Sequence, residues 1–149
     1  MTVILNLEIT PKDLTQITAK QKQAVESALP KAILRVAGLG RQIIKQRTEE
    51  GKGINGKFRD YSQGYIKQLK KRGFPIDPVD LFATGQMLRS MQVKSESSRR
   101  AVIFFDNQQA TKKANFNQRT RPFMGFNSKE KTRLQARFTT DIKAAVGRA

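Results

Sequence analysis

Residues 17–47 read ITAKQKQAVESALPKAILRVAGLGRQIIKQR, and the spacing of their apolar members is helical. Ala24, Val25, Ala28, Leu29, Ala32, Ile33, Val36, Ile43 and Ile44 fall on one stripe, with Lys, Gln and Arg opposite. Pro30 interrupts the run, either kinking one long helix or standing in the first turn of a second. Gly38 and Gly40 weaken its middle. Upstream the period drops to two. Val3, Leu5, Leu7 and Ile9 alternate with Thr2, Asn6 and Glu8, broken only by Ile4, which predicts a strand or arm over residues 1–10. Thr10-Pro11 ends it, and Asp13 or Thr15 is the expected cap of the helix.

Downstream, Thr48 to Tyr61 reads as a flexible glycine loop, because Gly51, Gly53 and Gly56 among Lys52, Asn55 and Lys57 leave nothing to pack. Tyr61 to Lys71 forms a short helix with Tyr65 and Leu69 four apart, and Gly73 to Asp80 is a connector with two prolines. Met91 to Ser95 and Ala101 to Phe105 are two strands joined by the polar turn Glu96 to Arg100. Ala101, Ile103 and Phe105 point one way and Val102 and Phe104 the other, so both faces are expected to be covered. Asn107 to Asn117 is a short polar helix. Asn127 and Glu130 have capping-box spacing. Behind them Leu134, Phe138, Ile142 and Val146 mark a C-terminal amphipathic helix.

At 149 residues the chain has the size of one domain with a modest core, since only 38% of it is apolar. Its charge is unbalanced: 29 Lys and Arg against 12 Asp and Glu, a formal +17. Such an excess repels itself, and a polyanion or an acidic partner surface relieves it. Cysteine is absent, which removes a disulfide framework, a thiol nucleophile and a thiolate metal site. No apolar run approaches the roughly 20 residues that span a bilayer, so a soluble protein is expected.

The literal Gly51-Lys52-Gly53-Ile54-Asn55-Gly56 match to G-x-G-x-x-G follows a charged helix end rather than a strand, which is the wrong context for a pyrophosphate. Glu50 and Lys52 resemble half of a metal-dependent nuclease site. The partner carboxylates on offer, Asp77 and Asp80, read more simply as turn and cap residues around Pro78. Histidine is absent, and no Ser, Tyr or Lys stands in a nucleophile motif. No catalytic residue, metal ligand or cofactor is expected; the chain reads as a non-enzyme.

The basic residues are the candidate contacts. Lys67, Lys70, Lys71 and Arg72 cluster beside Tyr61 and Tyr65. Lys112, Lys113, Arg119 and Arg121 interleave with Phe116 and Phe123. Aromatic side chains among cations stack on bases in single-strand binders. They serve equally as core anchors with wet basic neighbours, the reading preferred for Phe116 and Phe123. No helix-turn-helix, zinc finger or RNA-recognition signature is present, so any contact with nucleic acid is electrostatic and blind to sequence.

Three segments together resemble a known family. Gly56-Lys57-Phe58-Arg59-Asp60-Tyr61-Ser62 with Tyr65 comes first, then Leu81-Phe82-Ala83-Thr84-Gly85-Gln86-Met87-Leu88-Arg89-Ser90, then Arg121-Pro122-Phe123-Met124-Gly125-Phe126. Their order and spacing are similar to those of phage virion-morphogenesis and tail-completion (neck) proteins. In that family an aromatic-Tyr-Ser segment precedes L-x-x-T-G-x-[ML]-L-x-S, and R-P-F-x-G opens the final helix. The match runs from about Thr48 to the C-terminus. It departs from the family at Asn115 to Thr120, where neither the usual His nor a Gly-rich turn occurs.

The resemblance implies an α+β fold, with a long N-terminal helix and a C-terminal helix packed on a small, mainly antiparallel β-sheet. It makes Tyr61, Tyr65, Leu81, Thr84, Gly85, Leu88, Arg121, Pro122, Phe123 and Gly125 scaffold residues: Gly85 turning the backbone, Thr84 capping, Phe123 anchoring. It further implies a homo-oligomeric ring, six-fold or a multiple of it, at the head–tail neck of a virion assembled in the host cytoplasm. The implied partners are connector or head-closure and tail-tube proteins, with double-stranded DNA in the bore. In such a ring Lys52, Lys57, Lys67, Lys70, Lys71, Arg72, Lys112 and Lys113 become candidate contacts to DNA or to acidic partners. The N-terminal strand is expected to add to a neighbour's sheet. The rival reading is a sequence-blind nucleic-acid-binding protein, and behind it the nuclease.

Overall fold

The computed structural model describes residues 18–81 and 85–148, together with the backbone of 3–6. Five helices, a three-stranded sheet and a two-stranded hairpin make up the described chain. Helix α1 (Ala19–Glu49) is one continuous element, roughly 46 Å long at 1.5 Å per residue. Its N-cap is Thr18, reciprocally bonded with Gln21 in a capping box, not Asp13 or Thr15. Those two positions, like 7–10 and 82–84, lie outside the described residues. Pro30 does not break the helix. It sits on the exposed side, where the carbonyl deprived of an intrahelical donor is open to water.

The apolar stripe of α1 is the buried one: Val25, Leu29, Ala32, Ile33, Val36, Ile43 and Ile44 are all in the core. They pack on β4 (Met91–Ser97) and β5 (Arg100–Phe105), and against α5 (Ser128–Gly147). The sheet is antiparallel in the order β1-β5-β4, with β1 (Val3–Asn6) registering Val3 on Ile103 and Asn6 on Arg100. The N-terminal strand forms one edge of its own chain's sheet. The β4–β5 turn is tighter than Glu96 to Arg100: only Ser98 and Arg99 separate the strands, with a bulge between Ser95 and Ser97. Ala101, Val102 and Ile103 are all buried, so both faces of β5 are covered. Phe104 is half-buried under the Lys94 ammonium, 5.1 Å above its ring.

α5 opens on the Asn127–Glu130 capping box and buries Leu134, Phe138 and Ile142, with Val146 partly covered. The architecture is the α+β one: a long N-terminal helix and a C-terminal helix on a small antiparallel sheet.

Two glycines in α1 separate helix propensity from packing. A Cβ on Gly38 would meet nothing within 4 Å. One on Gly40 would stand 2.8 Å from Phe126 Cζ and 3.4 Å from Ile103 Cδ1. G38A should stabilise the fold by about 0.5–1 kcal/mol, whereas G40A should destabilise it by about 1–3 kcal/mol. Urea unfolding midpoints of the two variants should move in opposite directions.

Candidate functional site

The segment Arg121 to Phe126 is the meeting point of the chain. Phe123 is fully buried, 6.4 Å from Phe105 ring to ring, and Met124 and Phe126 are buried beside it. Such a non-helical turn leaves backbone groups in need of partners, and several find one in another element of the fold. Gln118, in α4 (Gln108–Thr120), accepts through Oε1 from the amides of Phe123 and Met124, both at 3.0 Å. The Ile54 amide donates to the Pro122 carbonyl at 2.9 Å. Arg47, at the end of α1, donates to the carbonyls of Phe123 and Gly125 and forms an ion pair with Glu130. Glu130 Oε2 also accepts from the Asn127 amide in the α5 capping box. One buried guanidinium thus ties α1, the turn and the start of α5 together.

Arg121 does the same work on the other side of the turn. It donates to the carbonyls of Arg59 and Asp60 at 2.7 and 2.6 Å, and lies 4.9 Å from the centre of the Tyr61 ring. The Tyr61 hydroxyl in turn accepts from the Leu81 amide at 3.2 Å, and its ring meets Tyr65 edge-on at 5.0 Å. Burial raises the Tyr61 phenol above its ordinary value, outweighing the Leu81 amide, which lowers it. The sign follows from a raised folded-state pKa: the neutral phenol's contribution is complete below the unfolded pKa and is lost as pH climbs through the folded value.

Leu81 is buried in the left-handed region at φ 54°, a conformation leucine seldom adopts. Gly85, at φ 72°, is the N-cap of the short helix α3 (Gln86–Arg89) and delivers Leu88 into the core. The expected capping role of Thr84 falls on a residue outside the described ones.

The three sequence blocks that carry the family resemblance are thus joined through Arg121, Tyr61 and Leu81. The stretch expected to leave nothing to pack belongs to the same assembly. Lys52–Gly53 (β2) and Gly56–Lys57 (β3) form a hairpin that leads to buried Phe58. A Cβ on Gly53 would fall 2.2 Å from the Pro122 carbonyl oxygen, and one on Gly125 would fall 2.6 Å from Ile54 Cδ1. These glycines are small because other chain lies against them. The hairpin follows a helix and leads to no helix N-terminus, so the nucleotide-loop geometry is missing.

The candidate basic contacts are all exposed. Lys52 and Lys57 are brought directly opposite each other in the hairpin, a like-charge pairing that weakens a ladder, and Glu50 stands 3.5 Å from Lys52. Lys67, Lys70 and Lys71 lie on α2 (Gln63–Lys71), which buries only Leu69. Arg72 follows, over the Phe74 ring. Lys112 and Lys113 lie on α4, Lys113 donating to Gln86 Oε1. Phe116 corrects the core reading: it is 69% exposed.

Among the described residues no three Asp or Glu side chains converge in a way that would hold a metal ion. No described helix is long and apolar enough to cross a membrane. The recesses on the outer faces of α1 and α5 are open grooves lined mainly by Lys, Arg, Gln and Thr. Arg47 and Gln118 are the residues that sequence reasoning passed over. The signal for Arg47 was present, since it continues the buried stripe of Ile43 and Ile44 as a cation.

Compared with models of protein families, with curated proteins and with solved structures, the chain finds no match in any of the three.

Breaking a buried ion pair leaves an uncompensated charge and costs about 3–5 kcal/mol, so R47M should lose that much stability in chemical denaturation. R47K keeps the charge without the planar fork and should fall between wild type and R47M. Removing the Arg137–Asp141 pair, whose Arg is exposed, with R137A should cost no more than about 1 kcal/mol.

Proposed function

We propose that this chain is a structural assembly protein of a tailed bacteriophage, forming a ring of identical copies at the head–tail neck around the DNA path. The observation that carries the reading is the convergence of the three family-like blocks. Arg121 holds Arg59 and Asp60, Tyr61 holds Leu81, and the R-P-F-M-G-F turn lies at the centre. Residues that look like a family signature are here spent on scaffold contacts, which suits a protein whose product is a shape. The surface suits it as well. Four ion pairs occur among the described residues, one of them buried, so most of the +17 excess faces outward. It is available to DNA or to acidic neighbours.

That exposed charge equally favours a sequence-blind nucleic-acid-binding protein, and salt dependence separates the two. A free binder should hold duplex DNA near physiological salt with a steep slope of affinity against salt. A neck protein should bind DNA weakly as a single copy and act through assembly. The nuclease reading has Glu50 paired to Lys52 and, among the described residues, no convergent acids to support it. A plasmid left intact by Mg²⁺ or Mn²⁺ disposes of it.

The direct test is electron cryomicroscopy of particles from the phage or prophage that encodes the chain. A closed ring of this chain at the neck is expected, and its absence from purified particles would end the proposal. Replacing Lys67, Lys70, Lys71 and Arg72 by Gln should leave the unfolding free energy within about 0.5 kcal/mol, because all four are exposed. The same change should lower the yield of joined particles.

A further inference from the structure

Phe116, at 69%, is the most exposed large apolar side chain among the described residues. It lies on α4, whose inner side is seated through the buried Ala110 and Ala114. Helical spacing decides what surrounds the ring. Residues three and four away share its face, and these are Lys112, Lys113, Arg119 and Thr120, all exposed. Lys113 also donates to Gln86 Oε1 at 3.3 Å, which engages one of the three N–H groups of its ammonium. The helix contains no Asp or Glu, and Phe116 is the one apolar residue among its exposed positions. The ring therefore stands in water with cations before and behind it, over roughly 10 Å of helix axis from Lys112 to Arg119.

The composition of this face selects its occupant. A protein hot spot sits among apolar side chains that shield one another from water, and Phe116 has no apolar neighbour on its face with which to form such a patch. A second copy of the chain would bring another +17 against these cations. A duplex satisfies the cations but keeps its bases stacked inside, so it offers the ring no partner. A single strand answers both features, because its phosphates meet the cations and an unstacked base covers the face of a single ring.

We propose that this face of α4 binds single-stranded nucleic acid, with a base stacked on Phe116 while Lys112, Lys113 and Arg119 meet the phosphates on either side. At roughly 3.4 Å per nucleotide of a stacked strand, the span from Lys112 to Arg119 matches about three nucleotides. Stacking and phosphate contacts of this kind read no sequence. The site rests on the exposed face alone and not on the ring reading, which particle images test separately.

Fluorescence anisotropy of labelled dT and rU oligonucleotides, titrated with the full chain at low salt where electrostatic contacts are strongest, tests the site. Wild type should bind a single strand more tightly than a duplex of the same length. F116A should weaken single-strand binding by about tenfold and leave duplex binding unchanged, and F116Y should restore it. K112Q/K113Q/R119Q should flatten the slope of log affinity against log salt by about two. K129Q/K131Q/R133Q removes the same charge from exposed positions on α5 and should weaken binding less. All the substituted side chains are exposed, so the unfolding midpoints should stay at the wild-type value.

A loss in F116A with either strand supports the site, and the tighter of dT and rU names the strand it takes. Equal affinity of F116A and wild type for both strands would overturn the proposal, and so would the absence of single-strand binding at low salt. An equal loss from the α4 and α5 charge variants would mean diffuse attraction and overturn it as well. Poly-glutamate that binds as tightly as dT, and loses the same factor in F116A, would give the face to an acidic polypeptide instead.

Discussion

A guanidinium withdrawn from water needs oxygen partners, and at Arg47, where both terminal nitrogens find them, that need organises the molecule. The group is 8% exposed, and its oxygens come from the carbonyls of Phe123 and Gly125 and the carboxylate of Glu130. None of these belongs to α1. The helix end is fixed in space only once the turn at 121–126 and the first turn of α5 are in place. Glu130 is shared with the Asn127 cap, so the same atom starts one helix and finishes the anchoring of another. The hairpin that follows α1 inherits this placement and completes it by donating from Ile54 to Pro122. The cation also sits in the last turn of α1, where the helix dipole favours positive charge.

Much of the fold was legible because most of its elements bury one face, and a buried face leaves a period in the sequence. The α1 stripe and the Leu134–Phe138–Ile142 series carry that mark, while the strand at 100–105, covered on both faces, shows instead as a continuous apolar run. The hairpin at 52–57 carries none. Its strands are two residues long, and its glycines look like a linker until Pro122 and Phe58 are seen lying against them. What holds it in place is a contact across about seventy residues, which no local window contains. Thr18 and Gln21 had the spacing of a capping box all along. The extended signal ending at Thr10-Pro11 drew the expected start of the helix upstream, and the cap with it.

The candidate site was legible in its parts and illegible in its connections. The three family-like blocks stood out as strings, and Gly85 and Phe123 have the turning and anchoring roles expected of them. That Arg121 would clamp the 59–60 backbone, and that the Tyr61 hydroxyl would meet the Leu81 amide, depends on side-chain reach and not on spacing. Phe116 shows the opposite failure. An aromatic among cations is more often core than surface, but on a polar helix whose buried positions are the small Ala110 and Ala114 there is no room for it inside.

The separation between Arg47 and the other cations has a consequence for how such a protein works. Charges on the surface act through water and are screened within about 8 Å at physiological ionic strength, while a buried pair is screened far less. The fold rests on the buried kind, and the recognition proposed for this chain rests on the exposed kind. Salt and acidic partners can therefore tune association without loosening the protomer. In a ring the exposed excess is repeated in every copy, and like charges on neighbouring subunits oppose closure unless some acids are placed to meet them.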